Sequence, residues 1–216
     1  MIEAVVWDMD GVIVDTEQVW DDVRERLVRE RSGRWHEGAQ AAMMGMSSPE
    51  WSRYMHDELG LEESPEEIND EVVRRMLERY RAELPLLPGA VEAVRRLAGD
   101  FTLAVASSSN RPLIDAVLET AGIGDAFAAT VSSEEVARGK PAPDVYLEAV
   151  RRLGVEPGRA AAIEDSANGL RAAHAAGLRV LALPNAHYPP ADDALALADV
   201  VLSSPAELSV SVVSGL

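Results

Sequence analysis

The chain has no cysteine, which excludes disulfides and thiolate metal sites and leaves oxygen and imidazole as possible ligands. It has almost no lysine: of 20 basic residues, 19 are arginine and one, Lys140, is lysine. Aromatic residues make up only 5%, and no apolar run approaches the ~18 residues of a membrane span. Positive charge is short as well. A net charge of −17 argues against nucleic acid or an anionic membrane as partner. The first residues place Glu3 ahead of a short apolar run and lack a basic flank, unlike a signal peptide. These absences fit a cytoplasmic protein, and nothing marks an obligate protein partner. The 216 residues, 47% hydrophobic and 26% charged, suffice for one large domain or a domain with a smaller insert.

The most informative stretch is Ala4-Val5-Val6-Trp7-Asp8-Met9-Asp10-Gly11. An apolar run predicts a buried strand, and two acids follow at its carboxyl end, where open α/β sheets place ligands. Residues i and i+2 of an extended chain share a side, so Asp8 and Asp10 face one small volume. Two anions there repel unless a cation or a shared proton intervenes.

From Thr16 the rhythm becomes helical. Trp20, Val23 and Leu27 recur on one face up to Ser32-Gly33, with Asp15 or Thr16 as the cap. A second helix fits Pro49–Leu59, with Trp51, Met55 and Leu59 on one face and Ser47 or Ser48 as cap. Ser64-Pro65-Glu66-Glu67 has the spacing of a capping box, and Ile68, Val72, Met76 and Tyr80 continue at i+4. Residues 16–83 are therefore expected to form an all-helical insert with its own core. Beyond Pro88-Gly89 strands and helices alternate, with strands at 101–106, 128–131, 160–163, 178–183 and 199–202. That alternation predicts an α/β fold, a Rossmann-like parallel sheet built from residues 1–15 and 84–216. The stretch 184–198 is expected to be a surface loop.

Polar residues collect where these strands end. The second strand ends in Ser107-Ser108-Ser109-Asn110, Lys140 precedes Pro141-Ala142-Pro143-Asp144, and Ile163 leads into Glu164-Asp165-Ser166. A phosphoryl group needs hydroxyl and amide donors, a nearby cation and an in-line nucleophile. Mg²⁺ needs hard oxygen ligands, which Asp8, Asp165, the Asp10 carbonyl and Glu164 can offer. Asp8 can attack phosphorus to form an aspartyl-phosphate, and Asp10 can protonate the leaving oxygen and then activate water. Ser107, with Ser108 beside it, can hold a phosphoryl oxygen. Lys140 offsets its charge as a compact ammonium, which a guanidinium fork does not mimic.

These residues carry a resemblance. Asp8-Met9-Asp10-Gly11-Val12, Ser107, Lys140 before Pro141, and Glu164-Asp165-Ser166-Ala167-Asn168-Gly169 resemble, in order, the four motifs of the haloacid dehalogenase superfamily. The resemblance covers residues 4–17 and about 85–184. The insert resembles the small C1-type cap of the sugar-phosphatase and β-phosphoglucomutase-like branch. It implies Asp8 as nucleophile, Asp10 as acid/base, Ser107 and Lys140 as phosphate holders and Asp165 as metal ligand. The expected activity is Mg²⁺-dependent hydrolysis of a small phosphomonoester, a sugar or polyol phosphate.

Other branches fit less well. A dehalogenase has no need of Asp10, and a Schiff-base phosphonate hydrolase needs a cap lysine that is missing. A β-phosphoglucomutase-type mutase resembles the chain more closely, but its members carry an Arg in the cap loop and a His in the first cap helix. Here the loop reads Gly45-Met46-Ser47-Ser48 and the helix position is Trp20, with Arg34, His36 or Arg53 as substitutes. Receiver domains share the acids, the Ser and the Lys but not the cap, and a silent phosphometabolite sensor would keep the whole set without turnover. Plainer roles are assigned to several neighbours. Asp15 reads as a helix cap, as do Ser108 and Ser109, and Glu164 as a group that orients a metal-bound water. Asn168-Gly169 reads as the turn behind the site, His174 as a packing or surface residue, and His187 as a solvated loop residue. Trp20, Trp51 and Met55 read as cap core, one or two of them lining the substrate space.

Overall fold

Strand β1 (Ala4–Trp7) is buried over its whole length, and its alternation organises the molecule. Val5 and Trp7 face one core, Ala4 and Val6 the other. The structure, a computed structural model, describes residues 1–44, 46–185 and 188–216. Gly45 and His187, both named above, lie outside the described residues.

After β1 the chain turns sharply. The amides of Val12, Ile13 and Val14 all point at the Met9 carbonyl, and Gly11 takes φ +78° to make the turn. Helices α1 (Glu17–Glu30), α2 (Ala39–Met43), α3 (Ser48–Asp57) and α4 (Pro65–Ala82) follow. The chain then returns beside its own exit. Asp15 donates to the Pro85 carbonyl and Leu87 to that of Ile13, giving a two-stranded neck below the helices. The helical insert is thus hung from the sheet by two adjacent backbones.

The α/β layer continues through α5 (Ala90–Leu97), β2 (Thr102–Ser107), α6 (Arg111–Ala121), β3 (Phe127–Ser132), α7 (Asp144–Leu153) and β4 (Ala160–Glu164). It ends with α8 (Ala167–Ala175), β5 (Arg179–Ala182), α9 (Asp192–Leu195), β6 (Val200–Val201) and α10 (Val210–Ser214). All pairings are parallel and the strand order is β3-β2-β1-β4-β5-β6. The order reverses at β1, and the crevice beyond its carboxyl end is where such sheets bind ligands.

The two faces of the sheet differ in bulk. Helices α5 and α6 pack Val94, Leu97, Leu113 and Val117 onto a face built from Val5, Trp7, Leu103, Val105 and Ile163. The opposite face is lined by Ala4, Ala104, Ala106, Ala160 and Ala162, against Tyr146 and Ala149 of α7 and Leu170 and Ala173 of α8. Small side chains let these helices approach closely, which later brings Tyr146 and Gly169 onto the acidic site. The insert has its own packing of Met55, Ile68, Val72, Met76 and Tyr80, continuous with the first face.

Most expected elements occur within one or two residues, including the Ser64 capping box, in which Glu67 accepts from the Ser64 amide at 2.9 Å. Three expectations change. Helix α2 was not foreseen, because five residues are too few to show a period. The 184–198 segment contains the short α9. Neither Asp15 nor Thr16 caps α1 with its side chain; Thr16 occupies the N-cap position and spends its hydroxyl elsewhere.

Ala162 sits fully buried where β4 meets α7 and α8. Ala162→Leu would overpack this face, at a cost of about 1–3 kcal/mol. Urea unfolding should show the midpoint falling accordingly, and an unchanged midpoint would mean the close approach is not needed.

Candidate active site

The parity of β1 carries Asp8 to the side of Ala4 and Val6, the side on which Lys140 leads into α7. Lys140 Nζ donates to Asp8 Oδ1 at 2.8 Å and to Glu164 Oε1 at 2.5 Å, with the residue only 3% exposed. Burial acts against this charge, but the two carboxylates outweigh it and hold the lysine above its ordinary pKa. The single lysine of the chain is thus the counter-charge of a buried acidic cluster.

Glu164 ends β4 on the same face and is fully buried. Tyr146 donates to Oε1 at 2.8 Å, while Oε2 accepts from the Asp165 amide at 3.0 Å, the Ser166 amide at 3.1 Å and the Ser166 hydroxyl at 3.2 Å. Burial and the adjacent carboxylate push the Tyr146 phenol up, so it remains a donor. With both oxygens occupied, Glu164 has little capacity left for a metal. It positions Lys140 and the Asp165 loop through these contacts.

Atoms of Asp8, Glu164 and Asp165 nevertheless lie within 4.8 Å of one another. Burial, reinforced by neighbouring carboxylates, raises Asp8 and Asp165 well above the ordinary carboxylate range. One ammonium does not balance three buried acids. The missing charge and the all-oxygen donor set fit a hard divalent cation held by Asp8 and Asp165. Gly11 leaves room for this arrangement, since a Cβ there would stand 1.9 Å from Asp165 Oδ2.

Asp10 lines the same pocket as Asp8 but has different partners. Ser109 donates to its Oδ2 at 2.7 Å, and Trp20 Nε1 at 3.2 Å and the Thr16 hydroxyl donate to Oδ1. Two of these donors come from the start of the insert and one from the sheet. Ser109 is therefore not a helix cap: Asn110 occupies that position for α6. Ser107 is fully buried, its hydroxyl accepting from the Ser109 amide at 3.0 Å, while Ser108 and Ser109 line the pocket.

The insert covers the site. Ser48 and Asn110 both donate to Glu134, Asn110 also reaches Asn69 at 2.9 Å, and Asn168 donates to the Met44 carbonyl at 3.1 Å. Trp20 and Trp51 line the pocket, whereas Met55 stays in the insert's core. Arg34, His36 and Arg53 are absent from its walls, and His36 bonds Tyr54 instead. His174 lies exposed on α8. The pocket holds only about 50 Å³ of free space, well below the ~300 Å³ typical of small-molecule sites.

The sequence model of the haloacid dehalogenase-like hydrolases matches residues 2–177. The chain belongs to that family. This hydrolase is 33% identical to hexitol phosphatase B of Escherichia coli strain K12, over 96% of the chain and 95% of the relative. It is 32% identical to protein CbbY of Rhodobacter capsulatus, over 89% of each. Among solved structures it resembles CbbY from Rhodobacter sphaeroides in complex with phosphate (TM-score 0.85, 28% identity, 99% and 100% coverage). A β-phosphoglucomutase from Clostridium difficile shares the fold with a TM-score of 0.85 at 23% identity, over 100% and 96% of the two chains.

Sequence reasoning missed Thr16, Ser109 and Tyr146 as partners of the acids, and it missed Glu17 and Arg24 as pocket-lining residues of the cap, bridged by Gln40. A signal existed for Arg24: it interrupts the apolar stripe of Trp20, Val23 and Leu27 on α1, where a solvated arginine does not belong.

In this hydrolase Gly169 packs directly on Glu164, and a Cβ there would meet Oε1 at 1.8 Å. Gly169→Ala should displace Glu164 and lower stability by about 2 kcal/mol or more, despite the better helix propensity of alanine. Chemical denaturation measures it. An equally stable variant would show that Glu164 is free to move.

Proposed function

We propose that this member of the family is a phosphatase that hydrolyses a small phosphomonoester through an aspartyl-phosphate on Asp8. The reading rests on one observation above all: Asp8 is buried beside an ammonium and a second acid, while Asp10, in the same pocket, is held by separate donors. Two carboxylates in different environments suit two different tasks. We assign residues 1–15 and 84–216 to the core and 16–83 to the cap.

Lys140 fixes one Asp8 oxygen, and the other attacks phosphorus in line with the ester oxygen. The P–O ester bond breaks as the new bond forms, and Asp10, protonated at that moment, gives its proton to the leaving alcohol. Asp10 then takes a proton from a water that attacks the phosphoryl-aspartate, which releases inorganic phosphate and restores Asp8. Trp20, Thr16 and Ser109 keep the Asp10 carboxyl aimed at the pocket through both steps. Ser108 and the Ser107 loop hold phosphoryl oxygens, with Lys140 supplying positive charge. Mg²⁺, held by Asp8, Asp165 and the Asp10 carbonyl, would offset the charge of the phosphoryl group. Glu164 takes part only by orienting Lys140.

The substrate is a phosphorylated small metabolite. Hexitol phosphatase B by its name, and CbbY by its solved complex with xylulose 1,5-bisphosphate, are the relatives that support a sugar or polyol skeleton. The mutase reading is weaker, since Trp20 stands at the helix position where a histidine would be expected and is committed to Asp10.

Two measurements test the mechanism. Asp8→Asn should abolish phosphate release to background, and Asp10→Asn should lower kcat about 10²–10⁴-fold, the range of general acid–base catalysis. Turnover by the Asp8→Asn protein at even a tenth of the native rate would rule out the covalent route. Excess chelator should also stop release of phosphate, and added Mg²⁺ should restore it; persistence in chelator would remove the metal from the scheme.

A further inference from the structure

The cap contributes a second cluster, of which the hydrolytic steps use only Trp20. Glu17, Trp20 and Arg24 lie on one face of α1 and all line the pocket. Arg24 is only 4% exposed. Its guanidinium carbon lies 4.4 Å from the centroid of the Trp20 ring and 4.9 Å from that of Trp51, and the rings meet edge-on at 6.0 Å. Two aromatic faces therefore fix its plane.

The hydrogen bonding of this cluster is incomplete. Arg24 Nη1 donates to Gln40 Oε1 at 3.1 Å, and its Nε is buried without a partner. Gln40 in turn donates to Glu17 Oε2 at 3.1 Å, so one amide side chain holds a cation and a carboxyl side by side. Burial and nearby Asp10 push Glu17 up to about 7, while burial brings Arg24 down to about 10. A buried N–H with no partner is costly unless a ligand satisfies it.

Neighbouring hydroxyls on a carbon chain match this pattern. Each hydroxyl both donates and accepts, so one can donate to Glu17 while the next accepts from Arg24. A second phosphate matches poorly, because the lone guanidinium is already shared with Gln40 and faces Glu17 and Asp10. Arg34, Arg53 and His36 of the cap are exposed and lie outside the pocket walls. Met43, Met46 and Trp51 leave apolar surface for C–H groups of the chain.

We propose that Arg24, Glu17 and Gln40 form a specificity subsite that binds the uncharged, vicinal-hydroxyl end of a polyol or sugar monophosphate and disfavours a bisphosphate. The assignment rests on the phosphatase reading and narrows its substrate class. Arg24 acts on binding and selectivity and takes no part in bond breaking.

The test compares kcat/KM for sorbitol 6-phosphate, xylulose 1,5-bisphosphate and acetyl phosphate, the last with no carbon-bound hydroxyl to offer the subsite. The native enzyme should favour sorbitol 6-phosphate over the bisphosphate at least tenfold. Arg24→Met should lower the ratio of sorbitol 6-phosphate to acetyl phosphate efficiency at least tenfold. Arg24→Lys should not restore it, because an ammonium does not reproduce the planar fork. If Arg24→Met does not fold, Gln40→Met, which removes the bridge, must give the same fall in ratio. Equal losses on both monophosphates would make Arg24 structural, and a native preference for the bisphosphate would make the subsite anionic; either overturns the proposal. Failure of the native enzyme to hydrolyse even acetyl phosphate would instead overturn the phosphatase reading beneath it.

Discussion

Everything at the carboxyl edge of the sheet depends on one buried ammonium placed among carboxylates. Lys140 touches both Asp8 and Glu164, which lie at the ends of different strands, and all three side chains are buried. Desolvating such ions costs several kcal/mol each, and removing one partner of a buried pair costs about 3–5 kcal/mol. The network is therefore a poor source of stability and a strict constraint on position. It requires β1 and β4 to lie adjacent, α7 to start close to the sheet, and Glu164 to have its remaining lone pairs filled by Tyr146 and the Ser166 turn. The alanine-lined face and Gly169 follow from the same requirement.

The cap answers a second constraint. Asp10 must sit in the same pocket as Asp8 and yet remain under separate control. The chain meets this by turning sharply at Gly11 and sending the next residues straight into the cap, so that Thr16 and Trp20 come back onto the Asp10 carboxyl. The neck formed by residues 13–15 and 85–87 joins cap and core within a few residues of Asp8 and Asp10. Any shift of the cap would carry with it two of the three side-chain donors that hold Asp10.

Much of this was legible in the sequence because it is local. The strand before Asp8, the capping box at Ser64 and the stripe of Ile68, Val72, Met76 and Tyr80 are each written in a short window. The acids, the serines and Lys140 could be gathered at one edge because a parallel sheet brings all its strand ends to the same side. What escaped depends on side-chain reach across elements. Tyr146 shows a helical apolar spacing, and nothing in that spacing announces a phenol directed at Glu164. Ser109 looks like a helix cap until the turn places it beside Asp10. The five hydrogen bonds that Glu164 accepts, from Lys140, Tyr146, Asp165 and Ser166, are written in no short window either. Arg24 could have been noticed, since a charge inside an apolar stripe needs a reason.

The burial of Lys140 also shapes the outer surface. As the only lysine, it leaves the exterior without any ammonium side chain, and all other side-chain positive charge is planar guanidinium. Many of those arginines are paired with carboxylates one helical turn away, as Arg29 is with Glu25 and Arg152 with Glu148. Amine-directed chemistry, whether an acylating reagent, an aldehyde cross-linker or an enzymatic lysine modification, meets no side-chain target on the folded molecule. Its one lysine can be approached only through the pocket it lines, so amine reactivity at Lys140 would report access to that pocket.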